Sequence, residues 1–130
     1  MPRFAHILNC VSETENPSLY ELQQLTLAAL AKAKKYTNPN IHIEQLVCHH
    51  KSQQIKVSPD LKILAPLEKS ILDLGSFNTN KALPLLKDIL EAAYKNSEAE
   101  YIIYSNADIG LMPQFYNVVD EYIKLSLIHI

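Results

Sequence analysis

The sequence predicts an α/β fold of three layers, with helices on both faces of a mostly parallel sheet. Three observations carry this prediction. The apolar runs at 4–10 (FAHILNC) and 101–104 (YIIY) are rich in residues that suit buried, pleated strands. Stretches with apolar residues at helical spacing alternate with such runs. The first strand-like run is followed by a helix and then by a second strand-like run, for which a right-handed parallel crossover is the default.

The elements follow in order. Residues 4–10 form the first predicted strand, and the polar loop VSETENP at 11–17 leaves it. Ser18 with Glu21 three residues later reads as a capping box that opens a helix. Leu19, Leu22, Thr26, Ala29, Leu30 and Ala33 then repeat at helical spacing. Lys32, Lys34 and Lys35 crowd the last turn, where cations meet the negative end of the helix dipole. Asn38-Pro39-Asn40 stops the helix. Residues 41–48 (IHIEQLVC) make the second strand, with His49-His50-Lys51 at its carboxyl end. In 53–66, two short apolar segments flank Ser58-Pro59-Asp60, an excursion with little regular structure. LEKSILDL at 67–74 reads equally as a third strand or a short helix.

After the polar loop at 75–81, a second amphipathic helix is expected from near Leu83, with Pro84 in its first turn. It should bury Leu86, Ile89, Leu90 and Ala93 and end at Asn96-Ser97-Glu98. The run YIIYSNADIGLMP at 101–113 then gives a strand, expected at the centre of the sheet, and a polar tip. Gly110 and Pro113 lead from it into a final helix at 114–124, with Phe115, Val118, Val119 and Tyr122 on one face.

Composition narrows the function. The 130 residues fit one domain, and 48% hydrophobic content gives a packed core. A net charge of −2 without a basic patch argues against nucleic acid as a partner. No apolar run approaches the ~20 residues of a transmembrane segment, and MPRFAHILNC lacks a signal-peptide core. Two cysteines make no disulfide framework, so a cytoplasmic protein with reduced thiols is expected. Two glycines are too few for a P-loop or a GxGxxG fingerprint. Residues 125–130 (LSLIHI) are apolar and carry no helix stop. They match the in-frame translation of a transposon end used as a sequencing adapter, so a non-native tail beyond Lys124 is expected. The alternative is a genuine apolar tail packed on the sheet.

Asn106 and Asp108 are the first candidates for chemistry. Two residues apart on an extended tip, they point the same way. Their oxygens suit a hard cation shared with substrate phosphates, and strand carboxyl ends are where open α/β sheets bind ligands. The alternative is a turn in which Asn and Asp cap their own backbone. Cys48, His49 and His50, even with Cys10, lack the four-ligand spacing of a zinc site. His6 and His42 read as strand residues, one buried and one at a face. Neither Ser12 nor Ser105 shows a His/Asp partner for nucleophilic catalysis.

AEYIIYSNADIGLMPQFYNVV resembles the metal-site segment of GT-A-fold glycosyltransferases of the family 2-like group, in which a hydrophobic strand runs into an Asp-x-Asp-type motif. GSFNTNKALPLLKDILEAAYKNSEAEY is similar to the loop, helix and strand before that motif, and FAHILNCVSETENP matches more loosely. The resemblance implies that residues 1–124 hold the nucleotide-sugar-binding half of a partial GT-A (nucleotide-diphospho-sugar transferase-like) fold. It implies Asp108 as the Mn2+ or Mg2+ carboxylate, with Asn106 in place of the motif's first aspartate, facing the nucleotide sugar. It also implies Asn9 near the base and Lys81 near the diphosphate. Cys48-His49-His50 stands where the family often places a base-reading aspartate. The implied reaction is glycosyl transfer from a nucleotide-diphosphate sugar to an acceptor the sequence does not identify, with the general base outside this segment. Two other readings stay open: a non-catalytic nucleotide or nucleotide-sugar binding module, and a nucleotidyltransferase, although VSETENP lacks the latter's glycine- and basic-rich loop.

Overall fold

β1 (Phe4–Asn9) runs through the interior of a four-stranded parallel sheet in the order β3-β2-β1-β4. The computed structural model describes residues 3–79 and 81–128. β1 is followed by α1 (Pro17–Lys35), β2 (Ile43–Cys48), β3 (Lys62–Ile63), a 3-10 turn (Ile71–Asp73), α2 (Leu86–Asn96), β4 (Tyr101–Ser105) and α3 (Phe115–Ile128). β1 pairs with β2 from Phe4 beside Ile43 to Asn9 beside Cys48, and with β4 from Phe4 beside Tyr101 to Leu8 beside Ser105. Strand order therefore reverses direction between β1 and β4, and a crevice opens at such a switch point at the strands' carboxyl ends.

Alternation along β1 and β2 divides the layers. Ala5, Ile7, Leu46 and Cys48 pack with Ile89 and Ala93 of α2 on one face. His6 and Gln45 turn to the other face, where they meet Tyr116 of α3 and Leu30 of α1. The Arg3 Nε donates to Asp120 Oδ1 at 2.6 Å, tying the start of β1 to α3. This is the expected three-layer α/β arrangement, with every described strand pair parallel. Among the described residues no helix is long and apolar enough to cross a membrane.

Several local expectations change. Asn16, not Ser18, caps α1: its side chain accepts from Leu19 N at 3.3 Å, and Pro17 takes the first helical position. The buried stripe of α1 is Gln23, Thr26, Leu30 and Ala33, whereas Leu22 is exposed. The third strand is Lys62–Ile63, inside the stretch read as irregular. Residues 67–74 supply only the 3-10 turn and one bridge, between Leu67 and His50. α2 begins at Leu86, without a side-chain cap.

β4 is an edge strand among the described residues, not the central one. Its apolar residues alternate between half-buried and exposed, and Ile102 and Tyr104 face outward. The run YIIY is as apolar as a central strand, but local sequence does not encode strand order. α3 continues past Lys124 without a break to Ile128, and 129–130 lie outside the described residues.

The cap assignment is testable in urea. Asn16→Ala should lower stability by about 1 kcal/mol, whereas Ser18→Ala should change it by less than about 0.5 kcal/mol.

Candidate functional site

Three side-chain clamps position the loops at the carboxyl ends of β1 and β4. Gln23, fully buried on α1, accepts from Val11 N at 2.8 Å and donates to Val11 O at 3.2 Å. Gln53 accepts from both Ser12 N and Ser12 Oγ, at 2.8 and 2.9 Å. Thr26 donates to Ile109 O at 2.7 Å and fastens the tip beyond β4 to α1. A buried polar group with a single geometry of partners fixes the backbone it grips.

Val11 and Gln53, from the first two clamps, line a cleft of about 480 Å³ outside the ends of β1 and β2. Asn9, Glu15, Asn16, His50, Gln53 and Lys81 are among its walls. Asn9 and Lys81, 72 positions apart in the chain, therefore share one cavity. The N-terminus of α1 also opens onto it, and no acidic residue occupies that helix's first turn. Lys81 and the helix end favour an anion there, while the Glu15 carboxylate opposes one. Among the described residues Lys81 forms no ion pair.

Asn106 and Asp108 are exposed and flank the buried Ala107, and residues 107–108 form a turn where an extended tip was expected. Leu8 pairs with Ser105, which makes Asn9 and Asn106 the next residues along the two strands. The sheet thus brings Asn106 to the end of β1. Asp108 lies beyond it, and neither Asn106 nor Asp108 lines the cleft that holds Asn9 and Lys81. Among the described residues no three His, Cys, Asp or Glu side chains stand close enough to hold a metal ion.

A second arrangement joins residues that the sequence left apart. The Gln45 amide donates to the Tyr116 hydroxyl at 3.1 Å, and that hydroxyl lies 2.6 Å from His6 Nδ1. His6 Nε2 lies 2.6 Å from Ser105 Oγ. Tyr116 accepts from Gln45, and each His6 ring nitrogen meets a hydroxyl that can donate or accept, an arrangement that satisfies either neutral tautomer. Ser105 therefore has the histidine partner that sequence reading denied it. Burial pushes the His6 pKa down to about 4 and the Tyr116 pKa up, so both are neutral near pH 7. An imidazole this weakly basic does not activate Ser105 for nucleophilic attack; the chain of contacts holds the end of β4 in place. A polar residue inside the run FAHIL was a visible signal, but its partners lie 99 and 110 positions away.

The remaining candidates recede. Cys10 and Cys48 are buried free thiols, pushed up to about 12 by desolvation, which leaves them protonated. His50 Nδ1 meets Ser52 Oγ at 2.8 Å. Both ring nitrogens of His49 are buried without a partner among the described residues. Desolvation first, and the neighbouring His50 second, lower its pKa.

Comparison with family models, curated proteins and solved structures returns no match to this chain.

The depressed histidine pKa gives a pH dependence of known sign. Between pH 6.5 and about 4 the unfolded chain protonates His6 and the folded chain does not, so stability falls as pH drops through that window. The loss should reach roughly 3 kcal/mol and stop near pH 4, with His49 adding in the same direction. Urea midpoints across this range, with NMR titration of the His6 ring, check it. A ring titrating near 6.5 in the folded protein would contradict it.

Proposed function

We propose that the cleft at the end of β1 binds a nucleotide-diphosphate sugar, and that the chain serves glycosyl transfer from that donor in the manner of the GT-A glycosyltransferases it resembles. The observation that carries this reading is the shared cleft. Asn9 and Lys81 meet there at the N-terminus of α1, beside the point where strand order reverses. In this reading Lys81 and the helix end hold the diphosphate, a pairing suited to the charge that develops as the sugar departs. Asn9 offers an amide to the nucleoside, and Asn106, which follows the end of β4 beside β1 and outside the cleft lining, is the residue proposed to meet the sugar or ribose.

The donor set for a metal is short: one carboxylate and one amide oxygen, with no cluster of three ligating groups among the described residues. These two groups do not make a resident metal site. Mn2+ or Mg2+ would arrive with the diphosphate and use Asp108 as an additional ligand, and no step assigned to the chain depends on it. Reduced thiols at Cys10 and Cys48 suit a cytoplasmic setting. The binding-module reading is favoured by one observation: Asp108, the carboxylate assigned to the metal, does not line the cleft. In that reading the same cleft holds the same ligand without turnover.

Calorimetric titration of UDP- and GDP-sugars, with Mn2+ or with EDTA, tests the assignment. Lys81→Ala should weaken binding about tenfold under both conditions. Asp108→Ala should weaken it only when Mn2+ is present. Absence of binding by either donor, or indifference to Lys81→Ala, would remove the reading.

A further inference from the structure

A cavity of about 660 Å³ lies away from the strand ends, between α1 and the 56–61 segment. Its origin is topological. The connection from β2 to β3 contains no helix, so the sheet face beside Gln45 lacks the covering that a helical crossover supplies. Leu27, Ala28 and Ala31 of α1 form one wall and Val57 and Leu61 another. Leu27, Val57 and Leu61 pack with Cys10 and Val47 of the core, so much of the lining is anchored. The volume falls within the ~300–1,000 Å³ of small-molecule sites.

We propose that this groove binds a linear acyl anion, an apolar chain ending in a carboxylate. One further observation chooses that chemistry. Lys34, Lys35 and Lys56 line the groove against a single acid, Asp60, and none of the three pairs with a carboxylate among the described residues. Their combined charge exceeds that of Asp60 together with the partial negative end of α1. Gln45, only 2% exposed, also lines the groove. Its amide nitrogen donates to Leu30 O and Tyr116 Oη, while its Oε1 accepts from no described residue. The walls supplied by Leu27, Ala28, Ala31, Val57 and Leu61 are apolar, and the cations lie on flexible stems that place charge at the mouth. Sugar hydroxyls would find few partners on such walls, and a cationic amphiphile would meet repulsion. The site shares no residue with the cleft at the end of β1, so it stands or falls independently of the proposed function.

The test is calorimetric titration of the whole chain with decanoate below its micelle concentration, beside butyrate and decyltrimethylammonium. Decanoate should bind, and both comparison ligands should bind at least about tenfold more weakly. Ala31→Trp, at an exposed helix position, should fill the groove and abolish decanoate binding. The triple change Lys34→Glu, Lys35→Glu, Lys56→Glu should weaken it about tenfold without altering helical circular dichroism. No decanoate binding, equal binding of the cationic amphiphile, or decanoate binding that survives Ala31→Trp would each overturn the proposal.

Discussion

A histidine in the interior of a fully buried strand needs both ring nitrogens partnered, because each unsatisfied polar group costs about 1–3 kcal/mol. His6 meets this constraint with Tyr116 of α3 and Ser105 of β4, and Tyr116 in turn takes a hydrogen bond from Gln45 of β2. Gln45 completes the line at Leu30 O on α1. One polar chain therefore links three strands and two helices across a single face of the sheet. Apolar packing with α2 on the opposite face is tolerant of small shifts by comparison, since it asks for volume and not for direction.

That constraint reaches the candidate site through the strand ends. Ser105 is the last residue of β4, so the contact with His6 sets where the polar tip starts. Gln23 and Gln53 then grip Val11 and Ser12 beyond β1, and Thr26 grips Ile109 beyond the tip. Phosphate-binding loops of other α/β proteins use glycines in unusual backbone conformations. Here no described residue has a positive φ, and side-chain amides and a hydroxyl shape the loops. A cleft built in this way presents side chains and one helix terminus to a ligand, not a cradle of successive backbone amides.

Much of the layer arrangement was legible because it is written locally. Apolar runs gave β1, β2 and β4, and helical spacing gave α1, α2 and α3. What escaped was set by distant partners. β4 reads as a central strand from its own residues, yet no described strand lies on its outer edge. Two residues, Lys62 and Ile63, are too short a strand to produce a period. Asn16 and Ser18 are both good caps, and Pro17 between them decides the matter by taking the first helical position. At the site, Asn9 and Lys81 were nominated through a family resemblance, and the fold places them in one cleft. Asn106 and Asp108 were nominated by their spacing at a strand end as well as by the resemblance, and both stand outside that cleft. The pairing of Ser105 with His6 was invisible, since nothing near either residue announces the other.

The central claim is that the end of β1, and no other part of the surface, receives the nucleotide. Amide-resolved NMR during titration with UDP tests it most directly. Shifts concentrated at residues 9–16, Gln53 and 81–83, with smaller changes at Asn106, are the predicted result. Shifts confined to the groove beside Lys34 and Lys56, or scattered without a focus, would contradict the account.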